Sequence, residues 1–449
     1  MPEPPRRGIG GHLPEWLGVE NAKGVLQRLL RYAEHCGSLA RVTLGPVRLV
    51  LVSDAAIAAD VLEDPRANFK GAAYILTRAV LDNVLLLNGA AWEAHRKTYR
   101  HALRGVDAAS SAREVSLRYV ERAAGGGFSD AAGTVRLDAL VSRLVGDIVG
   151  HFIAGLALRD DFEPHRRRVQ HELAGLGIDL QCQPWAYLSP MRWVRLRQSV
   201  AAARGVFRHE VERRMAAPDD GRKDILNGFL RLARAGAYPL DAQALQDGAV
   251  NFFFTAHDVL ASSTGWCLYL LSRHPEVQSR LRASLARLPE GPVDDGALEE
   301  CEYLGRVVRE SLRLFPGYSL FGRTLQAGMR MGGYHVDKGT MVIVSPFVTH
   351  RLARYWPHPL TFEPDRWQAA ASTVIGPTAR DHYLPFGSGA RGCLASHLAL
   401  PIMKRVVAEV VRALDVRAVP GFEPRIVYWG TAYAENGLPV TLTPARAVG

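Results

Sequence analysis

The sequence predicts a mainly α-helical fold with a small β region. From about residue 90 to 315, apolar residues recur at steps of three and four positions with few internal prolines, a pattern typical of successive amphipathic helices. Two short stretches, 40–55 and 332–346, instead contain β-branched runs bounded by turn residues. No internal repeat or Pro/Ser-rich linker divides the chain. We therefore expect one integrated domain over residues 1–449, although length alone would allow two or three.

The predicted elements have recognisable boundaries. Residues 40–55, ARVTLGPVRLVLVSDA, indicate a strand hairpin around a Gly-Pro pair, followed by Asp54 as the N-cap of a helix. In residues 332–346, GGYHVDKGTMVIVSP, a turn at 337–339 separates two short apolar runs. Residues 396–415 predict an amphipathic helix, in which Pro401 lies near enough to the start to be tolerated or else introduces a bend.

Composition excludes several classes of protein. The chain is 48% hydrophobic and 22% charged, which is enough apolar material for a large core. Its five cysteines are scattered and never paired as CxxC, so we expect neither a disulfide framework nor a zinc site, and a reducing, cytoplasmic compartment fits best. The N-terminus lacks the apolar run of a signal peptide, and we expect no membrane anchor.

The net charge of +10 favours an acidic partner or surface, although a generally basic protein would show the same balance. The basic residues are dispersed and do not alternate with aromatic residues, so we expect no nucleic acid partner. The densest basic run, HRRRVQH at 165–171, is most simply a solvated helix face.

A glycine-rich loop with a cysteine, FGSGARGCLA at 386–395, is the first motif that carries chemistry. Cys393 lies just before the predicted helix at 396, where backbone N–H groups and the helix dipole favour a thiolate over a thiol. The loop resembles the heme-binding loop FxxGxRxC of the cytochrome P450 family. Ala395 stands where that family usually has a second glycine.

Two further motifs support the resemblance. Glu310 and Arg313 stand three residues apart on a predicted helix, share a face and can form a bidentate pair, as in the ExxR motif of the family. Downstream, FEPDRW at 362–367 is similar to the family's FxPxRF segment, whose arginine, here Arg366, joins the same network. The three motifs occur in the family's order, and the resemblance covers nearly the whole chain.

The resemblance implies the cytochrome P450 fold, with heme b held between a long helix, called the I helix, and the cysteine loop. Cys393 would be the proximal ligand of the heme iron, and its thiolate would favour O–O cleavage. Two arginines and a tryptophan match family positions that reach the heme propionates, since anionic carboxylates need cationic partners. The implied heme contacts are Cys393, Trp92, Arg96, Arg323, Arg391, Phe386 and Ala256.

The sequence departs from the family in the I helix, expected at about 244–273. The family reads AGxET or AGxDT there, and the acid and threonine deliver protons. This chain reads TAHDV at 255–259, which keeps the acid as Asp258 but replaces the alcohol with Val259, a residue that cannot donate a proton.

Several replacements for that alcohol stay open. Thr255, one turn earlier, is a candidate beside Asp258 for the catalytic role, but a threonine can equally bond to a helix carbonyl. Asn251, Thr255, Asp258 and Ser262 form a polar stripe that predicts water or a polar ligand. Three further alternatives stay open. Hydroxyl groups of the substrate could organise the water, the reaction could need less proton delivery, or peroxide could drive the turnover.

The resemblance also implies a substrate and partners. The expected pocket is largely apolar and suits a hydrophobic, medium-sized molecule. Electrons would come from a separate ferredoxin and ferredoxin reductase, with the ferredoxin attracted to a basic face around 96–104 and 404–405. We expect a monomer. The predicted pocket residues are Tyr74, Asn251, Phe254, Val259, Tyr318 and Phe321.

These observations predict a heme-thiolate monooxygenase that inserts one oxygen atom from O2 into an apolar substrate, in secondary metabolism, within a single heme domain without a fused reductase. An oxidative coupling or peroxide-using relative is the second hypothesis, because of Val259. A heme protein that binds a ligand without turnover is the third.

Overall fold

A computed structural model describes residues 1–5, 11–16, 23–45, 47–70, 87–157, 190–288, 294–368 and 382–445. Most of these residues are helical, in agreement with the mainly α prediction. The helices are α1 (Val25–Cys36), α2 (Ala55–Glu63), α3 (Gly89–Ala102), α4 (Ala108–Ala124), α5 (Leu137–Ala154), α6 (Pro190–Met215), α7 (Ile225–Arg234), α8 (Ala242–Arg273), α9 (Pro275–Leu285), α10 (Asp295–Glu300), α11 (Glu302–Leu314), α12 (Pro346–Thr349) and α13 (Ser396–Ala413).

The strands are β1 (Leu39–Leu44), β2 (Val47–Val52), β3 (Thr134–Arg136), β4 (Phe321–Thr324), β5 (Met329–Met331), β6 (Tyr334–Val336), β7 (Met341–Val344), β8 (Leu414–Ala418), β9 (Ile426–Trp429), β10 (Thr431–Ala434) and β11 (Pro439–Pro444). They form small sheets in the orders β1-β2-β7-β4, β3-β11-β8, β9-β10 and β5-β6. The small β region is therefore confirmed.

The β1–β2 hairpin is confirmed, with Leu39 opposite Val52. The Asp54 side chain accepts a hydrogen bond from the backbone N–H of Ile57 and so caps α2, as predicted. The two runs in 332–346 are both strands, but they pair with different partners. Strand β6 pairs with β5, whereas β7 lies parallel to β2 and antiparallel to β4.

Helix α8 is the central element of the core. It is 32 residues long, and it packs against α5, α6 and α11. Apolar residues on its buried faces, such as Phe253 and Leu260, are almost fully excluded from solvent. Each fully buried side chain of this kind contributes about 1.5–3 kcal/mol to stability, so packing on both sides fixes the position of this helix.

Helix α13 follows the cysteine loop. It includes Pro401 and continues to Ala413, so the proline is tolerated inside the helix. Buried residues from Ile402 onward hold α13 against α4 and against other helices. Within the described ranges, every helix is too short or too polar to cross a lipid bilayer.

Candidate heme site and distal helix

The cysteine loop depends on glycine at two positions. Gly389 has a φ of +67°, and a Cβ there would overlap the backbone carbonyl of Leu62 at the end of α2. Gly387 also has a positive φ and lies against the ring of Phe321. Backbone hydrogen bonds then close the loop, from Gly392 to Gly389 at 3.0 Å and from Cys393 to Phe386 at 2.9 Å. The loop therefore requires glycine at these two positions, where its backbone passes close to Leu62 and to Phe321.

The side chain of Cys393 is accessible to solvent, although protein surrounds it on most sides. Burial raises the pKa of the Cys393 thiol. The backbone N–H groups of Ala395 and Ser396 bond to the sulfur and act in the opposite direction, as does the nearby Arg96. The helix start thus has the predicted effect, but burial outweighs it. A metal ion bound at the sulfur would favour the thiolate over the thiol.

Trp92 and two arginines lie together beside this loop. The guanidinium of Arg391 lies 4.5 Å from the centre of the Trp92 ring, and that of Arg96 lies 5.6 Å from it. Arg96 donates to the carbonyl of Gly392 at 2.7 Å, which ties α3 to the cysteine loop. Arg391 donates to the Asn68 side chain at 2.6 Å. Three of the predicted heme contacts are therefore adjacent.

Two further cations complete what we call the basic cluster: Lys70, Arg96, Arg323 and Arg391. Lys70 donates to the carbonyl of Gly322 at 3.3 Å, next to Arg323 on β4. Burial lowers the pKa of Lys70 well below its usual value, and the positive charges of Arg323 and Arg391 lower it further. Burial, together with the positive charges of Arg323 and Arg96, lowers the pKa of Arg391 to about 10. The positive charges of these residues repel one another, and an anion bound among them would offset that repulsion. The cluster is therefore a site for an anion.

Lys70 was missed in the sequence because no motif marks it. It reaches the cluster through tertiary structure, since Phe69 forms an isolated β-bridge with Thr324, one residue after Arg323. The Asn88 side chain accepts from the backbone N–H of Lys70 at 2.8 Å and holds this segment in place.

These residues fit heme b. An accessible thiol suits the iron, and the basic cluster suits the two propionates of the porphyrin edge. Phe386, the first residue of the loop, is partly buried and packs against the core. Ala256 is a small, partly exposed residue on α8.

The predicted network around Glu310 comes together in the structure. Glu310 and Arg313 are fully buried and bond in a bidentate pair at 2.8 and 2.9 Å. Arg366 donates to Glu310 at 2.9 Å, and Trp367, which the sequence reading did not single out, donates at the same distance. Arg313 also donates to the carbonyls of residues 350, 359 and 361. This network ties α11 to the 357–367 segment.

His350 extends the network to the segment just before the cysteine loop. Its Nδ1 lies 3.0 Å from the carbonyl of Arg313, and its Nε2 lies 2.8 Å from the backbone N–H of Leu384. Because a carbonyl only accepts and an N–H only donates, Nδ1 carries the proton and Nε2 is bare. Burial lowers the pKa of His350 well below its usual range. The neutral ring thus joins α11 to the residues that precede Phe386.

The predicted polar stripe on α8 does not face one space. Thr255 donates to the carbonyl of Asn251 at 2.7 Å, the alternative that the sequence left open for a threonine. The side-chain amide of Asn251 is buried and donates to Tyr99 of α3 at 3.2 Å. Ser262 donates to the carbonyl of Ala432 at 2.8 Å. The predicted stripe is thus corrected for Asn251 and Ser262, which bond to α3 and β10, whereas Thr255 bonds to the backbone of its own helix.

The partly exposed positions of α8 are mainly apolar. Phe254, Thr255, Ala256 and Val259 are partly exposed, whereas Asp258 is largely buried. Val259 packs against Gly317, and Tyr318 and Phe321 on the same segment are also partly exposed. Tyr74 lies outside the described residues.

Asp258 is paired with its neighbour His257. The Nδ1 of His257 lies 3.0 Å from Oδ1 of Asp258, and the Nε2 lies 2.8 Å from the backbone carbonyl of Ser142 on α5. His257 stacks on Phe253 at a ring separation of 5.2 Å. A histidine beside an acid on a buried helix was visible in the sequence, but its role was not inferred.

The basic face expected at 96–104 and 404–405 is only partly present. Lys97, Arg100 and Arg104 are exposed on or just after α3. Lys404 instead pairs with Glu299 at 2.6 Å, and Arg405 is buried between Asp295 and Glu409. Acidic residues of α10, together with Glu409 on α13 itself, thus neutralise the α13 part of the face.

Comparisons with known proteins agree with this geometry. The family model described as Cytochrome P450 matches residues 2–431. A relative called Cytochrome P450 4V2 from Mus musculus is 34% identical over 200 residues, which cover 44% of this chain and 38% of that protein. Putative cytochrome P450 135B1 from Mycobacterium bovis is 30% identical over 260 residues, 56% of this chain and 51% of that protein.

A third relative, Cytochrome P450 3A13 from Mus musculus, is 35% identical over 171 residues, 38% of this chain and 33% of that protein. The chain thus aligns with about a third to a half of the length of these relatives. The family match, in contrast, spans nearly the whole sequence and includes the accessible cysteine, the basic cluster and the Glu310 network. The chain belongs to the cytochrome P450 family, whose members bind heme b and act as monooxygenases.

Proposed function

We propose that this chain is a heme-thiolate monooxygenase that inserts one oxygen atom from O2 into an apolar small molecule. The observation that carries the proposal is the accessible Cys393 beside four clustered cations, at the end of a glycine-dependent loop. In the net reaction, the substrate and O2 take up two electrons and two protons, and the hydroxylated product and water are released.

Each part of the site would have a distinct role. When bound, heme b supplies an iron centre whose thiolate ligand favours cleavage of the O–O bond. Cys393 would hold the iron, and the basic cluster would orient the propionates. Phe254, Ala256 and Val259 would give the distal side an apolar surface that excludes water and contacts the substrate. Asp258 and Thr255 remain the candidates for proton delivery.

The electron donor would be a separate acidic protein such as a ferredoxin, with its reductase. The exposed cations Lys97, Arg100 and Arg104 support this, because they lie on or just after the helix of Arg96, which contacts the cysteine loop. Opposite charges at such a surface increase the rate of encounter. A monomeric state, a single heme domain, cytoplasmic location and a role in secondary metabolism stay predictions.

A second function, oxidative coupling or the use of peroxide, is favoured by one observation. Val259 has no hydroxyl group, and the hydroxyl of Thr255 bonds to helix carbonyls. A reaction that needs fewer protons would tolerate this distal side better than hydroxylation would.

The test begins with the reduced, CO-bound absorption spectrum of the wild type and of Cys393→His. We expect the red-shifted band of a thiolate-ligated heme in the wild type and its loss in the variant. Substrates found by the spin-state change of the ferric protein would then be incubated under 18O2 with a reductase system. One 18O atom in the product supports the proposal, whereas a coupled product without 18O supports the second function. A ligand that binds but is not converted, either with O2 and the reductase system or with added peroxide, would indicate a non-catalytic protein and overturn both.

A further inference from the structure

We infer that His350 is a positioning residue for Cys393, because its ring fixes the turn at 384–387 from which the cysteine loop continues. The hydrogen bonds that carry this inference lie within the protein. Their consequence for the heme iron rests on the proposed function, in which Cys393 is the iron ligand. The motifs found in the sequence do not include His350.

His350 is held against α11 by two hydrogen bonds that run in opposite directions. The Nη1 of Arg313 donates to the backbone carbonyl of His350 at 2.7 Å. The Nδ1 of His350 lies 3.0 Å from the backbone carbonyl of Arg313, so Nδ1 carries a hydrogen and donates it. Because the buried Arg313 is itself fixed by its bidentate pair with Glu310, the imidazole is anchored to the same network.

Two aromatic rings determine the plane of the imidazole. Tyr383 stacks on it with ring centroids 5.3 Å apart, and Trp356 meets it edge to face at 6.2 Å. The hydroxyl of Tyr383 in turn donates to the carbonyl of Arg309 on α11 at 3.1 Å. The imidazole ring therefore cannot turn without the loss of these contacts, and Nε2 stays directed at the residue after Tyr383.

That residue is Leu384, whose backbone N–H donates to the bare Nε2 of His350 at 2.8 Å. Leu384 is only 1% exposed, so its N–H depends on a protein acceptor rather than on solvent. Burial, together with the nearby charges of Arg313, Arg351 and His382, lowers the pKa of His350 and keeps the ring neutral. Nε2 therefore remains an acceptor for Leu384.

The turn at 384–387 passes this constraint on to the cysteine. The carbonyl of Leu384 accepts a hydrogen bond from the N–H of Gly387 at 3.2 Å and closes the turn, in which Pro385 takes the position that proline favours. The carbonyl of Phe386, inside this turn, accepts from the N–H of Cys393 at 2.9 Å. Consecutive hydrogen bonds thus lead from α11 through His350 to the backbone of Cys393.

The spectral test compares two variants of opposite kind. His350→Phe keeps a ring against Tyr383 but removes both hydrogen bonds of the imidazole. His350→Gln removes the ring but can still donate to Arg313 and accept from Leu384. In the reduced, CO-bound proteins, we expect His350→Phe to convert much of the red-shifted band into the band of heme without a thiolate ligand. His350→Gln should keep the red-shifted band, and an unchanged band in His350→Phe would overturn the inference.

Gln278→Leu is the matched control for lost stability. Gln278 is also buried, and its side chain bonds to the carbonyl of Leu271 and to both backbone groups of Val416. Val416 lies on β8, which begins at the end of α13 far from Cys393. Gln278→Leu should therefore be destabilised but keep the red-shifted band. An equal loss of that band in Gln278→Leu and His350→Phe would overturn the positioning role.

Amide hydrogen exchange gives a second readout that does not depend on the colour of the heme. His350→Phe should speed exchange at Gly387 and Cys393 by roughly tenfold or more, because both N–H groups depend on the turn although neither bonds to His350. Gln278→Leu should leave the difference between these amides and the rest of the protein as in the wild type. Unchanged exchange at Gly387 and Cys393 in His350→Phe would overturn the inference.

Two outcomes separate this inference from the proposed function. If the wild type lacks the red-shifted band, the proposed function fails, but amide exchange still decides whether His350 holds the turn. If His350→Phe does not fold, His350→Gln decides. A red-shifted band in His350→Gln supports a role for the two hydrogen bonds, whereas its loss in a variant as stable as the wild type overturns that role.

Discussion

The side chain of Val259 fills the space that a Cβ on residue 317 would need. A methyl group built on Gly317 would overlap Cγ1 of Val259 and would also approach the hydroxyl of Ser263. The absence of a side chain at 317 and the β-branched side chain at 259 are therefore complementary. The contact holds the segment before β4 against α8, on the side of the candidate substrate pocket.

We predict that Gly317→Ala destabilises the protein by about 1–3 kcal/mol, as overpacking in a rigid core does. The smaller side chain in the double variant Gly317→Ala/Val259→Ala should recover most of that loss. Denaturant unfolding of the wild type, Gly317→Ala, Val259→Ala and the double variant measures the free energy of unfolding of each protein. If Gly317→Ala destabilised the wild type and the Val259→Ala variant equally, the two residues would not compete for space. Val259→Thr serves as the control, because it keeps the shape of the side chain.

The sequence predicted the parts of this molecule that depend on local pattern. Glu310 and Arg313 meet because a three-residue spacing places both on one face of a helix, whereas the contact of Arg366 with Glu310, 56 residues earlier, was expected only from the resemblance to the family. The β1–β2 hairpin and the Asp54 cap are likewise local. The hairpin and the cap both form between residues that are close together in the chain.

Features that depend on distant partners could not be predicted. Lys70 joins the basic cluster through a β-bridge to a strand about 250 residues away. Lys404 and Arg405 pair with Glu299 and Asp295 on α10, about 100 residues earlier. The pKa of Cys393 depends on the protein that surrounds the sulfur, and this effect exceeds the influence of the adjacent helix start.

The basic cluster predicts opposite effects of Lys70→Met with and without heme. Without heme, removal of a buried cation near Arg323 and Arg391 should raise the free energy of unfolding, because desolvation and like charges oppose that cation. With heme, loss of a charged contact to a propionate, worth about 1.5–3 kcal/mol, should speed heme release by roughly ten- to hundredfold.

Heme transfer to an excess of a heme-free globin measures the release rate, and denaturant unfolding of heme-free protein measures the stability. Lys70→Arg is the matched control, because it keeps the charge. Unchanged heme release by Lys70→Met would show that Lys70 does not contact the propionates.

His350 predicts a loss of stability in mild acid. Its pKa is lowered by burial in the folded state, whereas an unfolded histidine titrates near the usual value of about 6.5. Below that pH, the unfolded chain binds one proton more than the folded chain at this residue. The free energy of unfolding should therefore fall as pH falls, by up to about 1.4 kcal/mol per pH unit from this group.

The measurement is denaturant unfolding at pH 7 and pH 5 for the wild type and for His350→Gln. Glutamine can donate to Arg313 and accept from Leu384 without titrating. The variant should lose less stability than the wild type over this range. An identical loss would mean that other groups cause the acid sensitivity.

The Glu310 network predicts strong and unequal effects of its members. Glu310→Gln leaves the fully buried guanidinium of Arg313 without its anion, so we expect a loss of about 3–5 kcal/mol. Arg366→Lys keeps a charge near Glu310 and should cost less. Thermal unfolding measures the stability of Glu310→Gln and Arg366→Lys, and the heme content of each purified protein shows whether the heme site is retained. A Glu310→Gln protein as stable as the wild type would contradict a structural role for the pair.

The exposed cations of α3 predict a salt-dependent electron transfer rate. Charge reversal of Lys97 and Arg100 together should slow reduction by an acidic ferredoxin by about tenfold or more at low ionic strength, because attraction becomes repulsion. The difference should shrink at high salt, where charges are screened beyond a few ångströms. Lys404→Gln is the control, since Lys404 is already paired with Glu299 and should have little effect. Stopped-flow reduction across a salt series distinguishes the cases, and equal rates for the reversed variant and the wild type at low salt would exclude this face as the docking site.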